Sequence, residues 1–411
     1  MSRTYLTFIL LLINSHFLWS QSNYRPEAIR FTLEGDLQLK FGNLEQAIAS
    51  YSNAIETDRN YADAYMKRAL VFKVVGRYPE SIQDYNQAIA INPYSIYLYD
   101  KRAKLRMISM DYEGAMNDIN QAISINPGNP ELIDQRVDNF ILMGDYEQAI
   151  SDLDTLISIH AKEDLDFLKK ALVYLLAGDY SSTRECINIA LELNPSLSLA
   201  YDLEGLLNLK EERYSDAINS FDKAIELNPE FAIAYYNRGI AYRFFGNADL
   251  AKKNLDEAIL RSHDKSNIYF ARGLVKKELG DYNGALQDYN LAIGFDHGFQ
   301  EAFYNRAFIK KLLGEFNSAL IDANLLIEEN EADAKYWNLR GSIKQLLDDH
   351  NGAIRDYNQA LNLDIEYAEC YYNRGIAYLT TLRTNLGCQD IEESIKLGYE
   401  PALHIKAGFC P

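Results

Sequence analysis

The apolar positions of residues 198–231 recur at three- and four-residue spacing, first in one run and then in a second. Tyr201, Gly205 and Leu206 share a face in the first run, and Ala217, Phe221, Ala224 and Ile225 share one in the second. That period predicts two amphipathic helices joined by a short polar turn. Asn228-Pro229 closes the pair, because proline cannot continue a helix. Gly205, Ala217 and Ala224 let helix backbones approach closely, while Tyr201 and Phe221 fill the space beside them. A single hairpin of this size cannot bury its own apolar face, so it needs neighbours.

The neighbours follow at a spacing of 34 residues. The Ala217 position returns as Ala47, Ser81, Ala115, Ala149, Thr183, Ala251, Ala285, Ala319, Ala353 and Gly387. The Tyr201 position returns as Phe31, Tyr65, Tyr99, Ile133, Phe167, Tyr235, Tyr269, Phe303, Trp337 and Tyr371. Eleven units run without insertion or deletion over 28–61, 62–95, 96–129, 130–163, 164–197, 198–231, 232–265, 266–299, 300–333, 334–367 and 368–401, with a C-terminal cap at 402–411. A turn glycine is common after the first helix, as at Gly76 and Gly280, and an aromatic follows two residues later. The fourth unit departs from the pattern: Val137 and Leu156 replace small residues and Ala161 stands where proline would, so looser packing or a bend is one expectation and simple accommodation the other.

At these residues the chain resembles the tetratricopeptide repeat (TPR) family, whose pattern is a large aromatic, a small residue, Ala-x3-aromatic and a closing proline. The resemblance implies an all-α, right-handed superhelical solenoid of antiparallel helix pairs with a concave inner groove. It also implies protein–protein binding; that the protein is of an exported bacterial type is an expectation that rests on residues 1–20 alone. In the family, ligand contacts come mostly from the first helix of each unit. Applied to this chain, one groove row reads Thr32, Met66, Asp100, Asp134, Leu168, Asp202, Tyr236, Phe270, Tyr304, Asn338 and Tyr372. Arg243, Lys276, Lys277, Lys310, Lys311 and Lys344 lie near the ends of the same helices. Tyr236, Arg243, Phe270, Lys277, Tyr304, Lys311 and Tyr372 are therefore the candidate partner-binding residues, suited to an extended peptide or an anionic terminus. The alternative is that the cations only favour helix C-termini and the aromatics only pack between units. The family's carboxylate clamp for chaperone tails is not supplied by any three successive units.

Charge and chemistry narrow the reading further. A formal net charge of −18 argues against nucleic acid, which needs a basic footprint. Residues 1–20 carry one cation, Arg3, then a short apolar run, and read as a secretory signal peptide, with an uncleaved anchor as the alternative, followed by a linker at 21–27. The expected location is periplasmic or extracellular, with no membrane-spanning segment in the mature chain. Four cysteines do not make a disulfide scaffold. Cys388 and Cys410 flank the Gly398–Pro401 turn at similar distances, so an antiparallel hairpin brings them together as a disulfide, with two free buried thiols as the alternative. Cys186 and Cys370 read as buried, inert thiols.

One polar pair recurs at a fixed offset of 16 residues: Arg68/Asp84, Arg102/Asp118, Arg136/Asp152, Arg272/Asp288, Arg306/Asp322, Arg340/Asp356 and Arg374/Asp390. Its regularity predicts a structural ion-pair ladder. The histidines share no helix face and make no metal-ligand spacing, and there is no phosphate loop or nucleophile elbow. The expectation is a non-enzymatic scaffold of the cell envelope, with no cofactor or metal and a protein or peptide partner. The rival readings are a regulatory or substrate-presenting subunit of a separate enzyme, and a spacer without a ligand.

Overall fold

The computed structural model describes residues 25–161, 163–262 and 265–410. The expected signal peptide at 1–20 lies outside them. Among the described residues the chain is all helical, with 23 helices and no strand. The described residues divide into two compact units, one within 1–195 and the other within 196–411. The first holds five helix pairs, from Pro26–Lys40 with Leu44–Thr57 to Asp164–Ala177 with Tyr180–Leu193. The second holds six, from Ser198–Lys210 with Tyr214–Leu227 to Ala368–Thr380 with Thr384–Lys396, and then the single helix Ala402–Phe409. Short connections make consecutive helices antiparallel.

Each pair turns through the same backbone device. Positions 42, 76, 110, 144, 178, 212, 246, 280, 314, 348 and 382 all have φ between 59° and 85°. That left-handed residue lets the chain return carbonyl-directed bonds to the helix it has just left: the Gly76 amide donates to Lys73 O at 3.2 Å and the Arg77 amide to Phe72 O at 2.8 Å. Seven of these positions are glycine, while Met110, Glu212, Asp348 and Leu382 adopt the conformation with a side chain attached.

Inside a pair, close approach is set by one contact. At Gly273 an added Cβ would stand 2.6 Å from the Tyr289 ring, and at Gly341 equally close to the Tyr357 ring. Each unit builds its core on such rings: Tyr51 and Tyr85 are buried in the first, Phe221, Tyr289 and Tyr357 in the second. In the fourth pair, Val137 and Leu156 are fully buried, so the bulkier residues are accommodated in the core. The second helix of that pair, Tyr146–Ile159, ends at His160, and Ala161 follows with φ of 55°.

The last helix, Ala402–Phe409, buries only Ala402. It is tied down by a bond between Cys388 and Cys410, 1.99 Å between sulfurs, and by Lys406 donating to Glu392 at 3.0 Å. Cys186 and Cys370 are free and buried.

Candidate functional site

The repeated ion pair lies within each helix pair and reaches beyond it. Arg306 donates to both Asp322 oxygens, at 2.9 and 2.7 Å, across the two helices of its own pair. Its remaining amino group donates at 2.8 Å to Asn290, on the second helix of the preceding pair. Arg340 does the same with Asp356 and Asn324, and Arg374 with Asp390 and Asn358. In the first unit Arg68 joins Asp84 to Ser52, and Arg102 joins Asp118 to Asn86. The guanidinium also lies over the aromatic three residues earlier, 4.7 Å from the Trp337 ring centroid for Arg340. One arginine therefore binds three helices, which is structural work. Arg238 and Lys170 keep the outward half of the arrangement, meeting Asp222 and Asp154 respectively, while Glu204 accepts from Ser220.

Three cations expected at the groove edge belong to this ladder instead. Lys276, Lys310 and Lys344 meet Asp288, Asp322 and Asp356 at 2.9, 2.9 and 2.7 Å. The aspartates are buried, so each takes a second cation in place of water.

The expected groove residues of the second unit lie on its first helices, half-buried. Phe270 packs against Phe299, 4.8 Å between centroids, and Tyr304 against Tyr336 at 6.1 Å. Tyr372 packs on Tyr399 at 5.2 Å. Burial raises the phenol pKa of Tyr236 and of Tyr304, the latter helped by Glu369 and Asp333. Tyr236 borders a pocket of about 320 Å³ with Ile233, Asn237, Asn267 and Ile268. Asn237 donates to Asp202 at 3.0 Å, and Asn373 to Asn338 at 3.0 Å, linking first helices one unit apart. Asp202 and Asn338 are thus buried links and not exposed groove groups. Burial pushes the Asp202 carboxyl up to about 6, with the Asn237 bond working against it.

The remaining candidate cations differ from one another. Arg243 is neutralised by Glu278 at 2.6 Å. The Lys277 amine reaches Asn305 Oδ1 at 3.0 Å and the Lys311 amine Ser342 Oγ at 3.1 Å, both neutral oxygens. Both amines have pKa values lowered, first by burial.

In the first unit the corresponding row is mixed. Thr32 is buried with its hydroxyl on Ala28 O, Asp100 is held by Lys101 and Lys104, and Asp134 and Asp138 by Lys169. Sequence reasoning passed over a row beside it: Val74, Ile108, Leu142 and Leu176, one per unit near the first-helix end, are about half exposed or more. Their 34-residue spacing was the available signal, and Phe244, Leu312 and Leu346 continue the position in the second unit.

Among the described residues no helix is long and apolar enough to cross a membrane, and no group of three acidic, histidine or cysteine side chains could hold a metal. The TPR repeat profile matches residues 35–73, 205–243 and 346–381, and the Tetratricopeptide repeat profile matches 232–262 and 266–296. No curated protein matches the chain. Similar solved structures include a tetratricopeptide repeat protein from Parabacteroides merdae, at 18% identity, TM-score 0.46, and coverage of 71% of this chain and 98% of that one. They also include the APC/C hetero-tetramer Cut9–Hcn1, at 13% identity, TM-score 0.48, and coverage of 95% and 99%. Yeast Tom70 is similar at 16% identity, TM-score 0.42, and coverage of 92% and 94%.

Proposed function

This chain is a tetratricopeptide repeat protein, and from that premise we propose that it is a non-enzymatic scaffold of the cell envelope that holds a protein or peptide partner on its first helices. The observation that carries the reading is the first-helix face of residues 232–312. Half-buried Tyr236, Phe270 and Tyr304 stand on these helices with exposed Ile233 and Phe244, and Ile233 and Tyr236 line a pocket open to solvent. Rigid aromatics that are already partly ordered lose little entropy on binding and make good anchors.

The envelope location is supported by the apolar pattern of residues 1–20 and by the Cys388–Cys410 bond, since disulfides persist in oxidising compartments. Cell fractionation followed by intact mass tests both. Recovery from the cytoplasm of a chain that retains residues 1–20 and shows no 2 Da change on reduction overturns the location.

The partner reading is tested by crosslinking in intact cells, with a photoreactive residue at Phe270 or Tyr304 and a control at Leu260, which is exposed on a second helix. A product from the first-helix sites and none from Leu260 is the expected result. Equal products from all three sites, or none, overturns it.

A further inference from the structure

We propose that Lys277 and Lys311 form a receiving site for two acidic side chains spaced one residue apart in an extended segment of the partner. The proposal rests on the binding face inferred above and names the chemistry it selects. An ammonium group has three donors and, when half-buried, is normally matched by a carboxylate. That rule holds for the neighbouring cations: Lys276, Lys310 and Arg243 each meet an acid. Lys277 and Lys311 meet one neutral oxygen each, on Asn305 and Ser342, and share the ring of Phe308, 6.0 and 5.1 Å from its centroid. Glu278 is the acid acting on Lys277, and it is already engaged by Arg243; Glu369 acts on Lys311 only through its field. Each amine keeps donors for an incoming anion.

The spacing admits such a ligand. Both amines lie near one ring, so they stand no more than about 11 Å apart, and an extended chain rising about 3.3 Å per residue puts alternate side chains about 7 Å apart on one face. Two carboxylates at positions i and i+2 can thus each take one amine, with Phe308 beneath the residue between them.

The test uses the full chain and a fluorescein-labelled octapeptide of alternating glutamate and alanine, with the glutamine–alanine octapeptide as the neutral counterpart. Anisotropy titration is expected to show binding of the glutamate peptide, at least about tenfold weaker binding of the glutamine peptide, and a loss of about tenfold for each of K277Q and K311Q. K223Q, which removes an exposed second-helix charge, is expected to leave affinity unchanged. Circular dichroism melting of K277Q and K311Q is expected to match the parent, since neither change strands a buried acid. Failure of the glutamate peptide to bind, equal binding of both peptides, or full binding by the double variant overturns the proposal. Crosslinking from Tyr304 separates the two readings: a partner still captured by the K277Q/K311Q chain leaves the binding face standing and removes carboxylate recognition alone.

Discussion

The turn position shows how one backbone angle is met by different residues. Glycine enters the left-handed region without a Cβ penalty, whereas other residues pay about 1–2 kcal/mol there. Met110, at φ of 60° and largely exposed, pays that cost and packs little in return. Met110→Gly is expected to stabilise its helix pair by about 1 kcal/mol, the strain relieved being partly offset by the greater freedom of glycine in the unfolded chain. Hydrogen exchange of Tyr112–Ile125 amides reads the change, and faster exchange would contradict it. Asp202 makes the opposite kind of demand. Its carboxyl is raised by burial to about 6, so the folded state holds the proton more tightly than the unfolded chain does. The associated stability is complete below about pH 4 and is lost as pH rises through about 6, for a total of roughly 2–3 kcal/mol. Asp202→Asn keeps the Asn237 contact and removes the charge. The stability difference between variant and parent is therefore expected to grow in the variant's favour from pH 4 to pH 7; a difference independent of pH would show that folding does not shift the Asp202 carboxyl.

At the scale of the helix, the arginine ladder explains why pairs stay in register. Asp322 is buried and receives Arg306 twice and Lys310 once. Asp322→Ala leaves two cations facing a dry gap and is expected to cost about 3–5 kcal/mol, while Arg306→Met with Asp322→Ala costs less than Asp322→Ala alone. Equal losses, read by hydrogen exchange over Phe316–Glu329, would reduce the ladder to decoration. The ladder was legible in the sequence because its offset of 16 residues is fixed by helix length and turn length, both constant through the repeats. The helices themselves were legible for the same reason. What the sequence did not reveal was the direction of long side chains. Lys276 and Lys277 are adjacent, yet one turns to Asp288 and the other to Asn305 on the next first helix. About 100° of helical rotation separates them, enough to divide a structural cation from a candidate binding one. Asp202 and Asn338 likewise fall in the groove row by spacing, and the asparagines that bond to them come from the following repeat, 35 residues on. Contacts between repeats depend on how pairs stack, which spacing within a pair does not encode.

At the scale of the second unit, the pair Ala368–Thr380 and Thr384–Lys396 is followed by the single helix Ala402–Phe409. In a stack of repeats each pair gains stability from its immediate neighbours, so what lies against this pair matters to it. Ala402–Phe409 supplies little by packing, since only Ala402 is buried there. The bond between Cys388 and Cys410, closing a separation of 22 residues, restricts the unfolded tail and contributes about 3 kcal/mol by loop-closure entropy. Its removal by Cys410→Ser should act locally, because coupling passes only from pair to pair. Hydrogen exchange is expected to accelerate strongly over Thr384–Lys396 and Ala402–Phe409, less over Ala368–Thr380, and not at all over Ala232–Phe244. Partner crosslinking from Phe270 should then survive the loss of the bond. Uniform acceleration across residues 196–410 would mean instead that the unit opens as one cooperative block, and that closing its end is what holds the binding face in order.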